Sequence, residues 1–409
     1  MKSCLQLLCF LVSISIYAQP PSDDYVSIHS TGLTSSLEDL YFLDPYVKNV
    51  RLLGMGESTH GTHEFFTMRS KVFRLLVERY GYTTFFLEAD YATCLDIDHY
   101  IKSGLGSAKE AVSKIALWPW ETWEMVELVE WMRSFNLKNP KRKLSFIGCD
   151  MQKYEATLSK MDSILLAAYP AYPIEPYDAK RSDRMELEKV LKHRSEVLTN
   201  VDFNPEDRFI YETLLRHLGQ IIYDKYTENY FSYRDISMAE NIVYHLERNP
   251  SSKGFYWAHN LHVFNIYKPH KNKKKAYVRA GGMLRNKLGD SYLIIGQEFD
   301  YGSFNAYQII DSSLDSKDKS NFEFKEITIE ESTPGSFGHY YRNSPDSILF
   351  IKPSALKSKE VRYLKMHDIS ATFSSSSKNP NQAARFSSCN NCFDAMILIK
   401  KTKATHLLD

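Results

Sequence analysis

The chain reads as an α/β protein: a central, mostly parallel sheet flanked by helices, with a helical insertion covering an active-site cleft. Three observations predict this. Five short apolar runs, at residues 50–53, 83–87, 144–147, 255–258 and 292–295, each sit beside helical or turn sequence, as strands buried on both faces do. Each run leads directly into polar groups: Glu57 with His60, Glu88 with Asp90, Asp150 with Gln152, His259 with His262, and Gln297 with Glu298. Between residues 154 and 249 the pattern changes to long, charge-laced amphipathic segments.

The chain opens Met1-Lys2, runs through an apolar stretch at 5–17 and reaches Ala18-Gln19-Pro20-Pro21, the pattern of a secretory signal peptide cleaved near Ala18. Residues 1–18 are therefore expected to be removed, leaving a periplasmic or extracellular protein. The apolar stretch is shorter than the roughly 20 residues of a membrane span, and no later run reaches that length. Residues 19–409 exceed one ordinary core, so the expected organisation is an α/β core from 19–153 and 254–409 interrupted by the insertion at 154–253. Helices are expected inside it at 155–168, 179–200, 206–225 and 235–248. From about residue 303 the pattern is less regular, with a Ser-rich loop at 374–377 and a last strand at 395–399.

Composition narrows the function. Lys and Arg total 51 against 50 Asp and Glu, and no long basic helix occurs, which argues against nucleic acid as the partner. A small neutral or mixed-charge molecule fits better. The mature chain keeps Cys94, Cys149, Cys389 and Cys392, too few for a disulfide scaffold of this size. No internal repeat, heptad array or extended low-complexity tract stands out.

The densest chemistry lies in Leu52-Leu53-Gly54-Met55-Gly56-Glu57-Ser58-Thr59-His60-Gly61-Thr62-His63-Glu64. A strand leads into a glycine-punctuated turn, where Gly54 and Gly56 allow backbone conformations that a Cβ would hinder, and a helix follows at 62–80. Because ligands of open α/β sheets gather beyond the carboxyl ends of the strands, the five polar strand ends predict one shared cleft.

These motifs resemble those of the erythromycin esterase family, from about residue 50 to residue 400. The resemblance rests on Gly56-Glu57-Ser58-Thr59-His60-Gly61 with Glu64 and Arg69, then Leu87-Glu88-Ala89 and Gly148-Cys149-Asp150-Met151-Gln152. It continues in Arg234-Asp235-Ile236-Ser237-Met238-Ala239-Glu240-Asn241, Trp257-Ala258-His259-Asn260-Leu261-His262-Val263 and Phe393-Asp394-Ala395. It implies hydrolysis of an ester or lactone, macrolide antibiotics among the substrates, by a water nucleophile. It also implies that Glu57, His60, Glu88 and His259 carry the reaction, with no required metal and no cofactor.

Such hydrolysis needs a base near neutral pKa, a group that orients it and a cationic or donating group for the oxyanion. His60 is taken as the base, fixed by a carboxylate such as Glu57 or Glu88. His259 and Arg69 would then polarise the carbonyl, and exchanging the two histidines gives an equally lawful mechanism. No Gly-x-Ser-x-Gly elbow supports a serine nucleophile. An alternative is a metal-dependent hydrolase or peptidase, because Glu57, His60, His63, Glu88, His259 and His262 offer nitrogen and oxygen ligands. Another is an exported binding protein without turnover.

Arg69, Asp150, His262 and Trp120 are expected to contact the substrate. In plainer readings Arg69 is a buried partner of Glu57 or Glu88, Asp150 and His262 are orienting groups, and His63 is a solvated or capping side chain. Arg234 and Asp235 read as the entrance to a helix starting near Ile236, with Asp235 as its cap. Trp120, in the run Trp118-Pro119-Trp120-Glu121-Thr122-Trp123, suits either a core or the wall of a ligand pocket. The lysines at 268–275 read as a solvated loop, and Cys389 and Cys392 as a local disulfide.

Overall fold

The computed structural model describes residues 20–174, 184–224, 227, 229–272, 276–311, 319–375, 386–387 and 390–408. The expected signal peptide, the start of the second insertion helix at 179–183, Lys225, residues 273–275 of the lysine loop, residues 376–377 of the Ser-rich loop and Cys389 lie outside the described residues. Cys392 is disulfide-bonded.

All five apolar runs become strands of one ten-stranded sheet. Its strands are β1 (Tyr25–Ser27), β2 (Leu52–Met55), β3 (Thr84–Asp90), β4 (Ser145–Asp150), β5 (Gly254–Trp257), β6 (Tyr292–Ile309), β7 (Phe322–Ile329), β8 (Ile348–Ile351), β9 (Thr372–Phe373) and β10 (Ala395–Thr402). Six of them run parallel in the order β10-β6-β2-β5-β3-β4. β8 and β1 extend the β10 edge antiparallel. The second half of β6 pairs antiparallel with β7 and parallel with β9.

Alternate residues of these strands feed two cores. Leu53, Met55, Phe85, Phe255 and Trp257 pack with the helices α1 (His63–Tyr80), α2 (Tyr91–Ser103) and α3 (Trp123–Lys138). Leu52, Phe86, Tyr256 and Ile294 point the other way, towards α7 (Tyr230–Arg248) and α9 (Ala280–Leu288). With both faces covered, β2, β3 and β5 are buried at every position, which is why they appear in sequence as unbroken apolar runs.

Four helices lie between β4 and β5: α4 (Tyr154–Ala168), α5 (Arg184–Asn200), α6 (Pro205–Asp224) and α7. Leu158, Met161 and Leu165 of α4, Leu187 and Val197 of α5, and Tyr211, Leu214 and Leu218 of α6 form a third core of their own. Only α7 among the four turns a full apolar face, with Met238, Ile242 and Leu246, to the central sheet.

Three expectations are corrected. The last of these helices starts at Tyr230, not near Ile236, because the Asn229 side chain accepts the Ser232 N–H and caps it. Arg234 and Asp235 therefore sit inside its first turns and point sideways instead of capping. The region after residue 303 is strand-rich, since β6 continues to Ile309 and is followed by β7 to β10. Gly54 and Gly56 do not adopt left-handed backbone; they are required by close packing. A Cβ on Gly54 would lie 2.3 Å from the Tyr292 hydroxyl, and one on Gly56 would lie 2.2 Å from Asn260 Oδ1. Among the described residues no helix is long and apolar enough to cross a membrane.

Candidate active site

Beyond the carboxyl ends of β2, β3, β4 and β5 the polar strand ends converge. Glu57, in the turn after β2, is wholly buried and divides its carboxylate between two partners. Oε1 accepts the His60 Nδ1–H at 2.6 Å, while Oε2 takes the Arg69 guanidinium and, at 3.4 Å, the Trp257 indole N–H. This fixes the His60 tautomer: Nδ1 carries the proton, and Nε2 is left as the free lone pair. Arg69 lies entirely behind Glu57, its guanidinium 4.4 Å from the Trp257 ring centre, and burial drags its pKa down to about 10 against the pull of Glu57. The buried Trp120 packs edge-on to His60 at 5.5 Å and donates its indole N–H to the Glu88 carbonyl. That indole is committed to holding His60 and β3.

His259 lies 5.3 Å from His60, ring centre to ring centre, and both its nitrogens are engaged. Nδ1 accepts the Leu261 N–H at 3.3 Å, capping the short helix α8 (Asn260–Val263), and Nε2–H faces the Ser58 carbonyl at 3.3 Å. Burial, then the neighbouring His60, hold its pKa well below the usual histidine value, so it stays neutral.

Glu88 is the hub on the other side. One oxygen accepts the His259 backbone N–H at 2.8 Å; the other meets Arg234 at 2.8 Å and His262 Nε2 at 3.1 Å. Burial alone would raise this carboxyl, but His262, Arg234 and His60 hold it well below the usual carboxylate range. Arg234 also forks onto Asp150, with contacts of 2.6 to 3.2 Å, and Gln152 supports the same carboxylate at 2.7 Å. His262 Nδ1 donates to Asp235 at 2.9 Å, and Asp235 is held in turn by Arg279 and the Ala280 N–H.

Desolvation pulls the His262 pKa down, but Glu88 and Asp235 outweigh it and lift the value to about 9. As an imidazolium it donates from both nitrogens, so the Arg234 guanidinium 3.2 Å from Nε2 is a packing contact, not a hydrogen bond. The folded value lies above the ordinary 6.5, so the stability contributed is complete below about pH 6.5 and is lost as pH rises through about 9. The melting temperature is therefore expected to fall between pH 7 and pH 10, and the fall to shrink in His262→Asn. An equal fall in both proteins would remove His262 from the alkaline transition.

Asp90 and Asp150 are register partners on β3 and β4. Burial, then Asp150, raise the Asp90 pKa to about 6, while the Gln152 and Lys153 N–H groups restrain it. Glu298 belongs to a separate buried set. It accepts the Ser58 hydroxyl at 3.2 Å and His367 Nδ1 at 2.7 Å, and His367 stacks on Phe299. Gln297 binds Asn260 through its backbone and does not join the Glu57–Glu88 cluster.

The structure thus brings together Glu57, His60, Glu88, His259, Asp150 and His262, and places Arg69 and Trp120 behind them. The cationic group it adds is Arg234, with Asp235 beside it. The signal for these two was their position ahead of the apolar Met238-Ala239 face, which makes adjacent residues of one helix turn reach opposite sides of the same site. His367 had no comparable signal.

Fold and site together define an α/β protein with a histidine–carboxylate centre at the ends of parallel strands. The profile of the erythromycin esterase family matches residues 77–402, and the chain belongs to that family. The matched stretch contains Glu88, Asp150, Arg234, His259 and His262; Glu57 and His60 precede it. The erythromycin esterase type II of Escherichia coli is 24% identical over 321 residues, 67% of this chain and 75% of that protein. A putative hydrolase of Bacillus subtilis (strain 168), YbfO, is 23% identical over 343 residues, 72% and 74% of the two chains.

A Bacillus cereus protein of known structure superposes with a TM-score of 0.73 at 22% identity, covering 95% of this chain and 97% of its own. A mutant erythromycin esterase crystallised in its open conformation gives 0.63 at 16% identity, covering 94% and 99%. These likenesses show the same α/β fold, and family membership supports an esterase-like hydrolase.

Proposed function

We propose that the mature, exported protein hydrolyses a carboxylic ester or lactone, of a macrolide-like or other small molecule, with water activated by His60. The observation that carries this is the Glu57 carboxylate, which grips Arg69 with one oxygen and His60 Nδ1 with the other. A buried carboxylate on Nδ1 orients the ring and stabilises the imidazolium that forms when Nε2 takes a proton.

In the proposed reaction His60 Nε2 removes a proton from water as the oxygen attacks the acyl carbon. The carbonyl π electrons move onto oxygen, where Arg234 and His262 supply positive charge. The tetrahedral adduct collapses, and His60 returns its proton to the departing alkoxide. Glu57, Glu88, Asp150 and Asp235 formally balance Arg69, Arg234, Arg279 and His262, so the resting centre suits a neutral ester and charge develops only during reaction. Glu88, already ionised, favours the transient His60 cation. His259, with both nitrogens engaged, serves to place the Glu88 carboxylate and the Ser58 turn.

The same engagement supports chemistry without a metal in this cluster. An ion there could use the open His60 Nε2, but it would have to displace hydrogen bonds from His259 and His262 to gain a second or third imidazole. Beside Asp150, a cavity of about 310 Å³ lined by Met151, Gln152, Tyr154, Leu187 and Asp224 offers room for part of a substrate.

The test is hydrolysis of a panel of simple esters, lactones and macrolides by the purified chain after exhaustive chelation. Turnover is expected for at least one of them and is expected to vanish in His60→Ala. Activity abolished by chelator and restored by metal would overturn the metal-independent reading. No turnover on any ester, with ligand binding retained, would leave a binding protein.

A further inference from the structure

A second histidine–carboxylate cluster lies outside this site. His63 is the first residue of α1, Glu124 stands in the first turn of α3, and His406 comes from the segment after β10. His63 Nδ1 is 2.6 Å and His406 Nδ1 is 2.7 Å from the same oxygen, Oε1 of Glu124. The imidazole rings meet edge to face at 5.3 Å, so both turn the same nitrogen towards the carboxylate. One ligand atom from each residue falls within a 4.8 Å sphere of the others.

The backbone around this point is pinned. The Trp123 N–H donates to the His406 carbonyl at 2.8 Å, the Leu408 N–H to Glu121 at 2.9 Å, and the His63 N–H to Lys403 at 2.9 Å. The His406 N–H also donates to the Glu124 carboxylate. Glu124 itself is buried, whereas the His406 side chain is 67% exposed and can rotate without disturbing the core. Glu64 and Glu127 add negative potential around His63.

We propose that His63, Glu124 and His406 form a three-ligand site for a divalent ion of the zinc class, with water as the fourth ligand. Two imidazole nitrogens and one carboxylate oxygen, with bonds of about 2.0–2.2 Å, are a common ligand set for that ion. The Nδ1–H groups now shared with Glu124 occupy the place of the ion; on binding, a neutral imidazole moves that proton to Nε2 and an imidazolium releases one to solvent. Since the Glu124 carboxylate already receives a backbone N–H, its orientation is set before the ion arrives. The site acts as a staple: it joins the segment after β10 to the helix that follows the His60 turn and to the helix that follows Trp120. The inference does not depend on the proposed hydrolysis.

The full chain, stripped of metal by chelation and dialysis, is titrated calorimetrically with Zn²⁺ alone and compared with His406→Ala and His63→Ala. One saturable event is expected in the wild type, with a rise in melting temperature. Each variant is expected to bind at least about tenfold more weakly, since even an outer-shell change at a metal site costs that much. Should the metal-free melting temperature of either alanine variant fall, His406→Gln keeps the side-chain bulk and tests the same ligand. No binding by the wild type, or equal affinity in wild type and variants, overturns the site; a second event that the variants retain belongs elsewhere and does not rescue it.

Discussion

Replacing His60 by alanine is expected to lower kcat at least about a hundredfold, the usual contribution of a positioned general base, while leaving the fold intact. The fold should survive because Glu57, wholly buried, loses only one of its partners. Arg69 and the Trp257 indole still hold the carboxylate, so no buried charge is stranded. The cavity left beside Trp120 costs a moderate amount of packing, read as a small loss in melting temperature. Steady-state rates on the best ester of the panel, together with far-UV spectra and melting curves, separate the two effects. A rate near that of the wild type would remove His60 from the chemistry, and unfolding would show that the Glu57–Arg69 pair alone does not sustain the turn.

Arg234→Met is expected to be the most destabilising single change in the site. The guanidinium joins Glu88 on β3 to Asp150 on β4, and both carboxylates are buried. Methionine is unbranched but shorter and removes the charge. Among the described residues this leaves Glu88 with His262 and the His259 N–H, and leaves Asp150 with no cationic partner, held by the Gln152 amide and the Met151 N–H alone. Removing one partner of a buried ion pair costs about 3–5 kcal/mol, equivalent to a fall in melting temperature on the order of 10 °C. Glu240→Gln is the comparison, because the Arg216–Glu240 pair nearby is 34% and 41% exposed, and loss of such a surface pair has little effect. Similar melting temperatures for the two variants would mean that Arg234 is not structural cement. Activity measured well below the melting temperature would then report its effect on the carbonyl alone.

Much of this centre was readable before the fold, for a physical reason. Parallel strands covered on both faces must be apolar throughout, so β2, β3, β4, β5 and the start of β6 stood out, and the first polar residues after each marked the cleft. Glu57, His60, Glu88 and His259 were found that way. Arg234 was less accessible because Asp235 is a common capping residue and drew the expected helix start to itself. The actual cap, Asn229, precedes the aromatic run Tyr230-Phe231, which carries no clear helical period. Glu298 appeared at a strand end but turned to His367, which lies 69 residues away and offers no local pattern. The second half of β6 was missed because it is partly exposed, and its pairing with β7 is visible only in three dimensions.

The turn from Gly56 to Thr62 takes its shape from much later parts of the chain. Ile369 and Ser370 hydrogen-bond to Ser58 and His60, Asn305 and Thr405 both donate to the Gly61 carbonyl, and Thr62 forms a β-bridge with Ala404. A Cβ on Gly61 would fall 2.0 Å from the Asn305 carbonyl oxygen, so the two backbones touch there. The Lys403 N–H reaches back 339 residues to Glu64. Loops closed over such separations form late, after local helices and hairpins have exhausted the cheaper contacts. The shape of the His60 turn therefore depends on contacts made more than 240 residues downstream, so a change in those segments would reach the centre without touching any of its side chains.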